Sequence, residues 1–108
     1  MAFDALDASL ALVPHLKKPV ARIARCDSSL ATQIRRAAAS VALNIAEGRR
    51  RSGGDRLHSW RIAAGSNAEC RAALEVAIGW GWIGEADVAE ALARHDRLAA
   101  MLHRLTHR

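Results

Sequence analysis

A chain of 108 residues, 51% hydrophobic and 25% charged, carries apolar material for one small core and no second domain. Its 16 Lys and Arg against 11 Asp and Glu give a formal charge of +5, and its two cysteines fit no metal-binding spacing. No apolar run approaches the roughly 18 residues of a membrane span, and no sustained alternation marks a strand.

The pattern predicts an all-α domain over residues 1–108, with helices near 3–25, 29–47, 53–79 and 85–105. In the first, Phe3, Leu6, Leu10, Val13, Leu16, Val20 and Ile23 form a nearly heptad stripe. Pro14 and Pro19 conflict with it, each costing ~3 kcal/mol inside a helix. The stripe stays in phase across both prolines, which favours one bent helix over two with a joint near Lys18-Pro19. Asp4 and Asp7 near the start, and Lys17, Lys18, Arg22 and Arg25 toward the end, suit the helix dipole.

Cys26-Asp27-Ser28-Ser29 reads as a short joint with N-cap chemistry, so the second helix folds back antiparallel. Cys26 and Cys70 are expected to be buried thiols. The second helix has its apolar stripe at Leu30, Ile34, Ala37, Val41 and Ile45. Beside it runs a polar ladder, Arg36, Ser40, Asn44 and Glu47, with Glu69 of the third helix placed to face it. Buried polar groups must be paired, so a network that sets helix register is expected there before a ligand site. Gly48 is expected to close the helix in the left-handed conformation.

A basic loop follows, Arg49-Arg50-Arg51, and Ser52 with Asp55 resembles a capping box. The third helix offers a small-residue seam at Ala64, Ala68 and Ala72, with Leu57, Trp60, Leu74 and Ile78 toward its ends. Gly81 is the expected C′ residue, with Trp82 and Ile83 folding back onto the bundle end. The fourth helix lines one face with Val88, Leu92, His95, Leu98, Met101, Leu102 and Leu105. Short connections between four such helices make an antiparallel up-down-up-down bundle.

Charge is unevenly placed. Residues 1–54 hold nine Lys and Arg against four acids, and residues 55–108 seven against seven. A polyanion such as nucleic acid is the natural partner of the first half, although 14 Arg to 2 Lys is also what a GC-rich genome yields. The expected phosphate contacts are Lys17, Lys18, Arg22, Arg25, Arg35, Arg49, Arg50, Arg51 and Arg56, forming one patch around the loop. Arg suits this work because its guanidinium donates two parallel hydrogen bonds. With no aromatic platform, binding should be sequence-tolerant and salt-sensitive.

Other chemistry finds little support. No nucleophile stands beside a base, Asp55-x-x-His58 has no partner motif, and His103 with His107 sits at the chain end, so no catalytic residue, metal or cofactor is expected. His95 reads as a core residue with its polar groups paired. Trp80 and Trp82 mark either a partner surface or the closure of a helix end. Asp4 and Asp7 stand where a signal peptide would carry positive charge, so a reduced, cytoplasmic setting is expected.

The segment QIRRAAASVALNIAEG, followed by a basic loop and RIAAGSNAECRAALEVA, resembles the four helix bundle protein family. The positions that carry the likeness are Gln33, Arg35, Arg36, Ala37, Asn44, Ile45, Ala46, Glu47 and Gly48, then Ala64, Gly65, Ser66 and Glu69. That family includes proteins encoded in intervening sequences of bacterial large-subunit ribosomal RNA genes. It is related to the accessory variability determinant of diversity-generating retroelements. The resemblance implies a homopentameric ring and, from the retroelement relative, nucleic-acid binding and a reverse transcriptase partner. Pro14, Pro19 and the lack of an aromatic-Pro turn before the second helix depart from the family pattern. The expectation is a non-enzymatic, basic homo-oligomer that binds RNA or DNA backbone, with a protein-interaction scaffold as the alternative.

Overall fold

Helical stretches take up almost all of the computed structural model, which describes residues 4–107: α1 (Ala5–Cys26), α2 (Ser28–Arg50), α3 (Gly53–Gly79) and α4 (Glu85–Thr106). Each helix packs on the next and α1 closes against α4, giving an antiparallel four-helix bundle of 42 × 26 × 20 Å. Phe3, which opens the predicted stripe, lies outside the described residues.

The helix ends follow from local chemistry. Asp4 caps α1, accepting from the Asp7 amide at 2.9 Å while the Asp7 carboxylate accepts from the Asp4 amide at 3.2 Å. Asp27 serves two helices. Its amide donates to Ile23 at 2.8 Å, ending α1, and its carboxylate accepts from Leu30 at 3.0 Å, starting α2. The joint between the two helices is therefore this one residue. At the far end of α3, Gly81 takes a φ of 79°. Its amide donates to Ile78 at 2.9 Å and that of Trp82 to Ala77 at 3.0 Å, the paired bonds of a Schellman closure. Ile83 is buried, and Trp82 packs against the core as its spacing predicts.

Helix α1 runs unbroken through Pro14 and Pro19. Its core face differs from the predicted stripe. Ala5, Ala8, Ser9, Leu12, Leu16, Pro19, Val20 and Ile23 are buried, whereas Leu10 and Val13 are 54% and 47% exposed. Helix α3 shows the same kind of shift. Ala68 and Ala72 of the predicted seam are exposed, and the buried line runs through Ser59, Ala63, Asn67, Cys70, Leu74 and Ala77. Small residues occupy much of the α3 circumference, so periodicity alone does not choose its inward face, and in α1 the buried line runs through Ala5, Ala8 and Ser9 in place of the larger Leu10 and Val13.

Two expectations about helix ends are corrected. Gly48 is a buried interior residue of α2, which continues to Arg50. Gly53 and Gly81 are the glycines with positive φ among the described residues. Ser52 occupies the N-cap position of α3 without a side-chain capping bond, so the box with Asp55 does not form. Cys26 is exposed at the last position of α1, and only Cys70 is buried.

Candidate nucleic-acid interface

The basic residues divide between the two ends of the bundle. Because α1 and α2 are antiparallel, the C-terminal half of α1 lies beside the N-terminal half of α2. Arg49, Arg50 and Arg51 sit at the other end of α2; Arg50 is roughly 22 Å along the axis from Arg35 at 1.5 Å per residue. The single patch expected around the loop is thus two separate sites.

The loop site is largely committed to structure. Arg49 pairs with Asp4 at 3.3 Å, and Arg51 with Glu47 at 2.6 Å and Asp55 at 4.0 Å. The hydrogen bond from Arg51 holds the Glu47 carboxyl below its ordinary value, and the same bond raises Arg51. Arg56 donates through Nε to the Gly48 carbonyl at 3.0 Å and through Nη2 to that of Arg49 at 3.4 Å. The Gly48 carbonyl also accepts from the Arg51 amide at 3.2 Å, so Arg56 adds a second donor there and supplies one to the Arg49 carbonyl at the end of α2. The Arg56 guanidinium also lies 5.4 Å from the Trp60 ring centroid. Arg50 alone of the loop arginines has no carboxylate partner among the described residues.

The hairpin site is different. Residues 15–37 contain six cations, Lys17, Lys18, Arg22, Arg25, Arg35 and Arg36, against one acid, Asp27, a difference equal to the chain's whole net charge. All six cations are exposed. Arg22 pairs with Asp87 of α4 at 3.2 Å, and the other five have no carboxylate partner among the described residues. Lys17 and Arg35 line a mainly apolar groove of about 660 Å³ between α1 and α2, from opposite helices, with Val13, Pro14, Ala21 and Ala39 around them. Arg36 was expected in the polar network. Its place beside Arg35, off the buried line of Ile34, Ala37 and Ala38, is the sequence signal for an exposed cation.

The polar ladder is shorter than expected. Ser40 and Ser66 hydroxyls lie 2.8 Å apart across α2 and α3, and Asn44 Nδ2 donates to Ser40 Oγ at 3.1 Å and to its carbonyl at 2.9 Å. Arg36 and Glu69 are exposed, and Glu47 turns along its own helix to Arg51. A charged side chain that can reach water has no need of a buried partner, so these three stay outside the network.

The polar contact deepest in the core was not anticipated. Asn67 Nδ2 donates to the His95 carbonyl at 3.0 Å, and its Oδ1 lies 2.7 Å from His95 Nδ1. Asn67 is 2% exposed and His95 is fully buried, with Nε2 lacking a partner among the described residues. So His95 is half-satisfied, not fully paired as expected. Burial pushes its pKa down to about 4, the Arg71 charge acts in the same direction, and Asp96 opposes both. The signal for this pair was Asn67 at one-turn spacing from Ala63 and Cys70, which puts an amide on a buried line.

Among the described residues, no three His, Cys, Asp or Glu side chains gather where they would hold a metal ion. No helix there is long and apolar enough to cross a membrane.

A family model described as 23S rRNA-intervening sequence protein matches residues 6–104. A solved structure of a protein of unknown function from the S23 ribosomal protein family of Bacteroides thetaiotaomicron has the same fold, with a TM-score of 0.85. The likeness covers 96% of this chain and 99% of that one at 18% identity. No curated protein matches the chain.

Proposed function

The chain belongs to the 23S rRNA-intervening sequence protein family, and on that premise we propose that it is a non-enzymatic, basic bundle that binds nucleic-acid backbone along its α1–α2 hairpin. The observation that supports this reading is the five exposed cations of residues 15–37 that no carboxylate of the described residues pairs with. Lys17 and Arg35 flank the groove, and Lys18, Arg25 and Arg36 are exposed on the same two helices. Such a surface gains affinity by releasing counterions from phosphates, which needs no base reading. In this reading the chain works in the cytoplasm as an accessory to a nucleic-acid enzyme, a reverse transcriptase being the instance the resemblance implies.

Self-association is part of the proposal. Leu10, Val13 and Leu43 are 54%, 47% and 68% exposed on the α1–α2 hairpin, and Ile62 and Val76 are 40% and 48% exposed on α3. Apolar side chains left open on two sides of a small bundle suit packing against further copies. A light-scattering mass several times that of one chain is expected, and a monomer mass would remove this part.

The binding test is a gel shift with generic single-stranded RNA at low salt. The Lys17→Ala/Arg35→Ala pair should weaken the shift strongly, and Arg49→Ala/Arg51→Ala should change it little. No shift with the unaltered protein, or loss confined to the loop variant, would rule the hairpin site out. The mainly apolar lining of the groove is the one observation that favours the second reading, a protein-interaction scaffold. A protein partner captured by the hairpin in nuclease-treated extract, with no RNA shift, would establish that reading instead.

A further inference from the structure

Helix α3 carries a second line of residues on its outer side: Ile62, Gly65, Glu69, Ala72 and Val76, at alternating steps of three and four. All five are exposed, and the spacing is that of a seam which packs against another helix. The buried line of α3 runs elsewhere, through Ala63, Asn67, Cys70 and Leu74. Ile62 and Val76 are the bulky ends of the outer line, 40% and 48% exposed, and a Cβ at Gly65 would meet no atom. Glu69 is the one charge on the line. No cation of the described residues pairs with it.

The α1–α2 groove has complementary features. It is a mainly apolar trough of about 660 Å³, with Val13 and Ala21 along one lip and Ala39 on the other. Its charged lining residues are Lys17 and Arg35, two cations without a carboxylate partner among the described residues. Leu10, 54% exposed, continues the α1 lip. The spacing matches that of α3. Lys17 is seven residues from Leu10, and Glu69 is seven from both Ile62 and Val76, about 10.5 Å along a helix in each case. With Glu69 set against Lys17, Leu10 therefore meets Ile62 or Val76, whichever way the incoming helix runs. Val13 then falls opposite Gly65 or Ala72, and a branched side chain over a small residue lets two helices close to roughly 8–10 Å.

Pairing of α3 with α3 of another copy is disfavoured. Glu69 is the midpoint of the line, so a symmetric contact would bring the two carboxylates together. The groove offers that carboxylate a cation instead. We propose that the outer line of α3 seats in the α1–α2 groove of a second copy of this chain, with Glu69 paired to Lys17. The inference rests on the self-association read above and names its two faces. Because the faces differ, each copy gives one and receives one, a head-to-tail contact that builds a ring or an open row and not a closed pair. Arg35, Lys18, Arg25 and Arg36 keep no carboxylate partner in this contact.

The test is light scattering on the nuclease-treated full chain and on two variants that each lose one face. Ile62→Asp/Val76→Asp removes the α3 line and keeps the groove, and Leu10→Asp/Val13→Asp does the reverse. Each variant alone should have the mass of one chain, and an equimolar mixture should give the mass of two chains and no more. All four positions are exposed, and circular dichroism checks that the helices are retained. Where a variant folds poorly, Glu69→Lys and Lys17→Glu take its place. Each should weaken assembly about tenfold, and the two combined in one chain should restore it. A monomer mass for the unaltered chain would remove self-association, and this contact with it. Assembly of the unaltered chain with either face variant keeping full mass, or mixed variants that stay monomeric, would overturn the contact and leave self-association standing.

Discussion

The indole of Trp60 fills the space that a side chain at Gly48 would need: a Cβ built on Gly48 overlaps the ring at Nε1 and Cδ1. Trp60 Nε1 donates to the Ile45 carbonyl at 3.3 Å, so the ring is held against α2. Gly48 permits close approach of two helices, and its freedom of φ plays no part.

Gly48→Ala sets two effects against each other. Replacing an interior helical Gly gains about 1 kcal/mol of propensity. Overpacking against a rigid, bonded ring costs typically 1–3 kcal/mol, and this cost should win. A net loss of up to about 2 kcal/mol is expected as a lower urea midpoint with unchanged slope. Adding Trp60→Ala should recover part of the Gly48→Ala loss in a double-mutant cycle; strictly additive effects would mean that the ring does not set the cost.

His95 makes the bundle sensitive to mild acid. Its folded pKa of about 4 lies below the ordinary 6.5 because burial disfavours the charged ring. Between those values the unfolded chain binds a proton that the folded chain excludes, so stability falls as pH drops from about 6.5 to about 4 and then levels off for this group. The loss corresponds to about 3 kcal/mol. Asp4 and Asp96, both held below the ordinary carboxylate range by hydrogen bonds, lose their contribution only at lower pH. Urea midpoints measured across this range should decline, and His95→Gln should flatten the decline above pH 4.

Asn67→Ala leaves the His95 carbonyl and Nδ1 without their partner and opens a small cavity. A loss of about 2–4 kcal/mol is expected in chemical unfolding. Ser66→Ala, at the half-buried Ser40 contact, should cost under about 1.5 kcal/mol. Equal costs would contradict the assignment of the deeper pair as the dominant one.

The two thiols should differ sharply in reactivity. Burial pushes Cys70 up to about 12, aided by the charge of Glu69, whereas Cys26 is exposed. A thiol reagent such as Ellman's should count one reactive group per folded chain and a second only on unfolding. Two fast thiols in the folded protein would show that the α2–α3 core opens readily.

RNA binding, if it runs through the hairpin, should report its contacts in salt. Each phosphate contact removed lowers the slope of log affinity against log salt by about 0.7 on a single strand. Arg25→Ala and Arg36→Ala should each reduce the slope, whereas Arg56→Ala should leave it unchanged and lower stability instead, because Arg56 caps α2.

Much of the fold was legible because each helix carries a periodic apolar line and recognisable end chemistry, such as Asp4 with Asp7 or Gly81. The inward face was less legible on α1 and α3. Alanine is compatible with core and surface alike, so Ala63 and Ala64 or Ala68 cannot be ranked without their neighbours on α2. The site was harder still. Arg49 and Arg51 look free in sequence, yet their acids Asp4, Glu47 and Asp55 come from another helix, from one turn back and from one turn ahead. Ion pairing across a bundle is a property of the assembled helices, and only their packing reveals which cations remain available.

Asp27 has a further consequence for how this chain can change length. With one residue ending α1 and starting α2, an insertion there would part the two bonds that Asp27 makes, its amide to Ile23 and its carboxylate to the Leu30 amide. One of the two helix ends would then lose its cap. Trp80–Gly84 is a longer connection, and Ile83 and Gly84 follow the last backbone bonds that close α3, so an added residue there disturbs no such bond. Variation in length is therefore expected to collect at that connection and to be excluded from Asp27.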